Sequence, residues 1–78
     1  MTGKALRAKR AAAGIAGHAI CARAGLLRSR LSDIENGHVT ATADEIERIV
    51  AAIDGIVQAR ERVESLATAE GFSLVGVL

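Results

Sequence analysis

Two side chains with metal-binding chemistry stand three residues apart, at His18 and Cys21. On a helix this spacing places both on one face, which is how a zinc site can begin. A structural zinc ion usually has four ligands, but His38 is the only other histidine and no fourth ligand is evident. We therefore expect no metal and no cofactor, and interpret Cys21 as a small core residue. No serine has a histidine and an acid in a recognisable catalytic arrangement, so the sequence does not indicate an enzyme.

Charged residues are distributed unevenly along the chain. Residues 1–40 contain seven Lys and Arg against two Asp and Glu, a net charge of +5, whereas residues 41–78 contain three against seven, a net charge of −4. A basic half is typical of a surface that meets a polyanion. A solvated helical surface with uneven charge would have the same composition, and charge alone does not separate the two interpretations.

The composition favours one small all-α domain. The 78 residues include sixteen alanines, no proline and a single aromatic residue, Phe72. The core is therefore expected to consist of Ile, Leu, Val and Ala. One cysteine excludes an intramolecular disulfide, and no apolar run reaches the ~18 residues that a membrane span needs. We expect a cytoplasmic protein without a membrane partner.

Glycines divide the first half of the chain into short predicted helices, which cover about residues 2–13, 17–24 and 27–36. Thr42 and Glu45 fit a capping box that begins a fourth helix. Asp54-Gly55 predicts a break, because glycine inside a helix costs about 1 kcal/mol. A fifth helix is then expected over residues 56–69, followed by an extended, strand-like tail at residues 72–78.

Two short helices joined by a tight glycine turn form a helix-turn-helix pattern. Over roughly residues 4–54 the sequence also resembles the Cro and phage-repressor family, or XRE family. The residues that carry this resemblance are Leu6-Arg7, Arg10, Gly14-Ile15, Arg23-Ala24-Gly25, Leu31-Ser32 and Ile34-Glu35-Asn36-Gly37. It implies an all-α, five-helix lambda-repressor-like fold, with a DNA-binding domain over residues 1–54. Residues 55–78 lie beyond the resemblance and are expected to form a C-terminal helix and tail that serve as a dimerisation region.

The resemblance implies that the helix after the turn enters the major groove of double-stranded DNA. The implied base-reading residues are Leu27, Arg28, Ser29, Ser32 and Asp33. The implied contacts to the DNA backbone are Arg10, Gly17, His18, Arg30, Asn36, His38 and Thr40. The family also has a structural ion pair that falls on Arg10 and Glu35. Without DNA binding, these residues would be an exposed helix face and independent surface charges.

The chain departs from the family pattern at three polar positions. The second helix normally opens with Ser or Asn followed by Gln, and here these are Ala16 and Gly17. The third helix normally has Ser or Thr as its N-cap, and here it is Leu27. These lost polar groups bear on the phosphate contacts and do not change the expected fold. Amides at a helix N-terminus can bind phosphate without a side chain and could replace them.

Apolar residues in the second half predict a homodimer. With Arg60 included, positions spaced alternately three and four apart follow the coiled-coil pattern. They are Ile46, Ile49, Ile53, Ile56, Arg60, Val63 and Ala67. The residues expected in the dimer interface are Ile56, Val57, Val63, Leu66, Phe72 and Leu74. The alternative is that the helix and tail fold back over a core that is small in a chain of this length.

The sequence predicts a transcriptional regulator, most simply a repressor, that binds a palindromic operator as a dimer in a prokaryotic or phage context. The competing interpretation is a protein-interaction module that keeps the helix-turn-helix fold with little direct DNA binding, such as an antitoxin or a phage accessory protein.

Overall fold

The computed structural model describes the backbone of residues 1–77 and the side chains of residues 1–63. Over residues 1–77 it contains four α-helices and no strand, which confirms the predicted all-α class. The helices are α1 (Gly3–Ala12), α2 (Gly17–Ala24), α3 (Arg28–Glu35) and α4 (Ala43–Val77). None of these helices is long and apolar enough, among the described residues, to cross a membrane.

Helices α1 and α4 begin at threonines. The Thr2 hydroxyl accepts a hydrogen bond from the Ala5 amide at 3.1 Å. At the start of α4, the Glu45 amide donates to Thr42 Oγ1 at 3.1 Å, and the Thr42 amide donates to Glu45 Oε1 at 3.0 Å. This reciprocal arrangement is the capping box that the sequence predicts, and two otherwise orphaned amides are satisfied by it.

Helices α2 and α3 begin differently, because Ala16 and Leu27 stand at their N-cap positions and neither makes a side-chain cap hydrogen bond. Gly25 joins the two helices with φ of 68°. This left-handed conformation suits glycine, and a Cβ at Gly25 would also lie 2.9 Å from the Arg48 guanidinium. The turn therefore sets the angle between α2 and α3.

The core lies where α1, α2 and α3 pack against the first turns of α4. Its largest fully buried side chains are Leu6, Ile20, Ile34, Ile49 and Ile53. All are aliphatic, as the composition predicts. Because the core ends near Ile53, the rest of α4 runs beyond it, and the molecule measures 51 Å along its longest axis.

The prediction of a fifth helix is wrong, because α4 continues through Asp54-Gly55 without a break. Arg23 on α2 lies over this position, and a Cβ at Gly55 would stand 2.5 Å from its Nη1 atom. Glycine here leaves room for a neighbouring side chain, and Lys9 on α1 holds the adjacent Asp54 at 3.4 Å. Continuing an existing helix needs no new nucleation, which offsets the low helix propensity of Gly55.

The prediction of a strand-like tail is also wrong, because the backbone is helical through Val77. Extending an existing helix costs far less than nucleating one, and a helix satisfies its backbone groups without a partner strand. Strand propensity depends on such a partner. The side chains of Leu66, Phe72 and Leu74, which the sequence assigns to a dimer interface, lie outside the described residues.

Candidate nucleic-acid interface

An open cavity of about 390 Å³ lies between α1, the first turn of α2 and one face of α3. Six of the residues expected to contact DNA meet in it. The residues that line it are Arg7, Arg10, Ala16, Gly17, His18, Cys21, Arg28, Leu31, Ser32, Glu35 and Asn36. The α2–turn–α3 unit thus brings the first turn of α2 and the side of α3 to one surface.

The cavity is basic. Arg7 and Arg28 are exposed and form no ion pair with the side chains described over residues 1–63. The first amides of α2 face the same region without a side-chain cap, and the positive end of a helix dipole favours an anion. His18 is exposed beside them. These groups together can bind a phosphate.

Arg10 and Glu35 form a bidentate pair at the inner side of the cavity. Arg10 Nε donates to Glu35 Oε2 at 2.8 Å and Nη2 donates to Glu35 Oε1 at 2.9 Å. Arg10 Nη1 also donates to the Ile15 carbonyl at 2.8 Å. The Arg10 and Glu35 side chains are only 18% and 9% exposed, and donation to the Glu35 carboxylate raises the pKa of Arg10. The pair joins α1 to the end of α3, and every guanidinium nitrogen has a partner within the protein.

Cys21 lies at the cavity floor and belongs to the core. Burial is the largest cause of the raised pKa of its thiol, and Arg28 opposes this shift by favouring the thiolate. His18 lines the same cavity. Among the described residues, no three His, Cys, Asp or Glu side chains form a group that could hold a metal ion.

The solvent-facing side of α3 carries the expected base-reading residues. Leu27, Arg28, Ser29 and Ser32 are all exposed, and Leu27 retains 75% of its accessible surface. Asn36 Nδ2 donates to Ser32 Oγ at 3.2 Å, which joins the polar end of this face to the cavity. An apolar side chain beside an arginine and two hydroxyls is a suitable set for the edges of base pairs.

Arg30 points away from this surface, toward the start of α4. Its Nε and Nη2 atoms donate to the two Glu45 carboxylate oxygens, each at 2.7 Å. This hydrogen bond is the largest cause of a Glu45 pKa lowered to about 2, with the Thr42 amide contributing next, and the pKa of Arg30 is raised in turn. The sequence places Arg30 at the DNA backbone, but here its charge is held by a carboxylate.

Asp33, an expected base reader, and His38, an expected backbone contact, also face each other. Asp33 Oδ1 lies 3.6 Å from His38 Nδ1, and the His38 amide donates to the Asp33 carbonyl at 2.9 Å. Both side chains remain at least half exposed. Thr40 is exposed in the same loop. These three residues lie outside the cavity.

Four arginines of the site region have roles that the sequence analysis did not assign. Arg7 lines the cavity, and its spacing of three from Arg10 is the signal that could have found it. Arg48 Nη2 donates to the Gly25 carbonyl at 3.1 Å, and Arg60 donates to the carbonyls of Ala13 and Gly14. Arg23 covers Gly55. The roles of Arg23, Arg48 and Arg60 depend on tertiary contacts, which a local sequence pattern does not predict.

Comparisons of the chain with models of protein families, with curated proteins and with solved structures found no match.

Proposed function

We propose that the protein is a sequence-specific DNA-binding transcriptional regulator of the Cro/XRE type, acting as a repressor, with a lambda-repressor-like helix-turn-helix formed by α2, Gly25 and α3. The observation that carries this proposal is the exposed face of α3 beside the basic cavity at the start of α2. Phosphate contacts position such a protein on DNA, and contacts to base edges supply sequence preference. This surface offers groups of both kinds.

The phosphate contact falls on the first turn of α2. The first amides of α2 donate to the oxygens of one phosphate. Arg7 and His18, which line the same cavity, donate to that phosphate as well. A Cβ at Gly17 would meet only Leu31 Cδ2, at 3.7 Å, so glycine is not required by packing here. Its value in this proposal is that the backbone itself can reach the phosphate.

The base contacts fall on the first turn of α3. Arg28 can donate two parallel hydrogen bonds to O6 and N7 of guanine, and Leu27 can contact a thymine methyl group. Ser29 and Ser32 lie on the same exposed side and suit either a base edge or the backbone. Asp33 reads a base only when its contact with His38 is exchanged for one to DNA.

The proposed homodimer uses an apolar groove of about 420 Å³ on α4, lined by Arg23, Ile56, Ala59, Arg60 and Val63. Val63 is 64% exposed, which is unusual for an aliphatic side chain at the edge of an apolar groove. The α4 helix of a second copy carries the same Ile56 and Val63, so two grooves can cover each other about a two-fold axis. Binding to two half-sites on one side of the duplex requires the two α3 helices of a dimer to lie ~34 Å apart.

A second candidate function is a protein-interaction module, and the same groove favours it. If the groove takes a helix of a different protein, Ala16, Gly17 and Leu27 are positions where polar side chains for phosphate contact are no longer needed. Salt separates the candidates, because DNA binding through several phosphates weakens steeply with salt and an apolar protein contact does not.

Selection of bound duplexes from a random pool tests the proposed function. The full chain should enrich a palindromic consensus, and its affinity for that consensus should fall steeply between 50 and 200 mM salt, by ~10³-fold or more for about six phosphate contacts. Failure to enrich any sequence at low salt would overturn the proposal and leave the interaction module.

Sedimentation tests the dimer separately. The full chain should sediment as a dimer at micromolar concentration and Val63→Asp as a monomer, because a carboxylate would be buried in each groove. A chain that ends at Gly71 shows whether the last residues contribute. A full-length monomer that occupies the two halves of a palindrome independently would contradict the dimer.

A further inference from the structure

Bidentate arginine–carboxylate pairs hold helix α3 at both ends. The helix supplies the carboxylate in one pair and the arginine in the other. At its end, α3 supplies the carboxylate of Glu35, and α1 supplies Arg10. At its start, α3 supplies Arg30, and α4 supplies Glu45. Two parallel hydrogen bonds fix orientation as well as distance, so these pairs set the angle of α3 relative to the rest of the molecule.

The Arg30–Glu45 pair also keeps the positive charge of Arg30 at the Glu45 carboxylate. Arg30 stands next to Ser29 and Leu31 on the helix proposed to enter the groove. A free arginine there could reach a backbone phosphate, and such a contact adds affinity for every sequence alike. Glu45 instead accepts from its Nε and Nη2 atoms at 2.7 Å each.

Glu45 is itself fixed before any DNA is present. Its Oε1 atom also accepts from the Thr42 amide, and its side chain is only 12% exposed, against 36% for Arg30. The capping box therefore aims the carboxylate at α3, and a phosphate would have to displace a carboxylate that is already in place.

We propose that Glu45 is a positioning residue, which holds Arg30 away from the DNA backbone and thereby lowers the affinity for DNA of every sequence. This inference rests on the proposed DNA-binding function. It replaces the expectation from the sequence that Arg30 contacts a phosphate.

The variant Glu45→Gln separates the two duties of this side chain. Gln keeps an oxygen that can accept from the Thr42 amide, since the capping box takes either Glu or Gln. Its amide nitrogen cannot accept from Arg30 Nε, so the bidentate pair is lost. The matched control is Asp44→Asn, which removes one negative charge from the same helical turn but contacts Arg48, not Arg30.

Affinities of the full chain for the selected duplex and for a scrambled duplex are measured across a salt series. In Glu45→Gln the released Arg30 should bind a phosphate of either duplex and steepen the salt dependence by about one contact, which is about 3.5-fold between 50 and 200 mM. Affinity for the selected and for the scrambled duplex should rise by a similar factor, because a phosphate contact does not depend on sequence, and the preference should stay unchanged. Asp44→Asn should leave both the steepness and the preference as in the wild type.

A second variant keeps the inference testable if Glu45→Gln does not fold. Because Arg30 makes no phosphate contact in this proposal, Arg30→Gln should leave the salt dependence unchanged, whereas loss of a phosphate contact would reduce it by about one. A reduced salt dependence in Arg30→Gln, or a Glu45→Gln variant that behaves like Asp44→Asn, would overturn the inference. Absence of any preference in the wild type would instead overturn the proposed function.

Discussion

Helices α1 and α4 differ from α2 and α3 in how their first turns are satisfied. Thr2 and Thr42 cap the first pair with their side chains, whereas Ala16 and Leu27 leave the second pair uncapped. The uncapped helices, together with α1, line the cavity, and α3 also presents its exposed face. The Ala19 amide donates to the Ala16 carbonyl, so a ligand at the start of α2 would accept from the amides of Gly17 and His18, which line the cavity. The missing caps thus coincide with the proposed contact surface.

The uncapped helices obtain their support from arginines of other elements. Arg10 holds the end of α3 through Glu35, and Arg48 holds the turn between α2 and α3 through the Gly25 carbonyl. Contacts with side chains of other helices thus stabilise α2 and α3, which lack side-chain caps of their own. Each prediction below tests one side of this difference, in order of decreasing effect.

The largest effect is expected at the Arg10–Glu35 pair. Arg10→Ala should lower the free energy of unfolding by about 3 kcal/mol, because a mostly buried carboxylate then loses its partner. Chemical denaturation measures this, and a double-mutant cycle with Glu35→Ala should show strong coupling. Lys9→Ala is the control, since its exposed pair with Asp54 should contribute only ~0–1 kcal/mol. Independent losses at Arg10 and Glu35 would refute the coupling.

The next effect concerns the exposed face of α3. Arg28→Ala should cost ~1–3 kcal/mol of binding to the selected duplex and relax discrimination at one base pair. Its fold should be unaffected, since Arg28 is exposed and pairs with none of the side chains described over residues 1–63. Arg7→Ala is the comparison, because Arg7 lines the proposed phosphate site and its loss should weaken binding to all duplexes alike. Equal losses for Arg28→Ala on selected and random duplexes would remove it from the base-reading set.

A smaller effect follows from exchanging the two kinds of helix start. Ala16→Ser should raise the free energy of unfolding by about 1 kcal/mol by capping α2, and Thr42→Ala should lower it by a similar amount by uncapping α4. Thermal unfolding of both variants beside the wild type measures the difference. If serine at position 16 leaves stability unchanged, the amides of α2 already have partners and the comparison loses its basis.

The smallest effect is the pH dependence contributed by Glu45. Its pKa is about 2 in the folded chain against an ordinary 4.5, so its ionised form stabilises the fold above pH 4.5. This contribution is lost as pH falls from about 5 to about 2, with the uptake of at most one proton by this group. The free energy of unfolding, measured by chemical denaturation at several pH values across that range, should depend less on pH for Glu45→Gln than for the wild type.

Local signals in the sequence were sufficient for the helix starts and turns. The capping box at Thr42 and the glycine turn at Gly25 depend on residues at most three or four apart, and both have the expected geometry. The aliphatic core likewise follows from composition and helical spacing. Of the candidate site, six expected residues meet in one cavity because α2 and α3 lie where the turn directs them.

Contacts between distant positions account for what the sequence did not predict. Gly55 lies inside a continuous helix, and Arg23, more than thirty residues earlier, lies where a Cβ at this position would be. Arg30 is held by Glu45, fifteen residues away on another helix. Helix propensity and residue spacing describe neighbours along the chain. Neither predicts which side chain of a distant segment will contact a given residue.

The two ion pairs that hold α3 also have a consequence for the order of folding. This eight-residue helix has arginines in its first turn and a glutamate at its end, the reverse of what a helix dipole favours, and no side-chain cap. An isolated segment of this kind is a poor helix. It becomes helical only once α1 and the start of α4 can supply the opposite charges, so its amide hydrogens should exchange with solvent only when the whole domain opens.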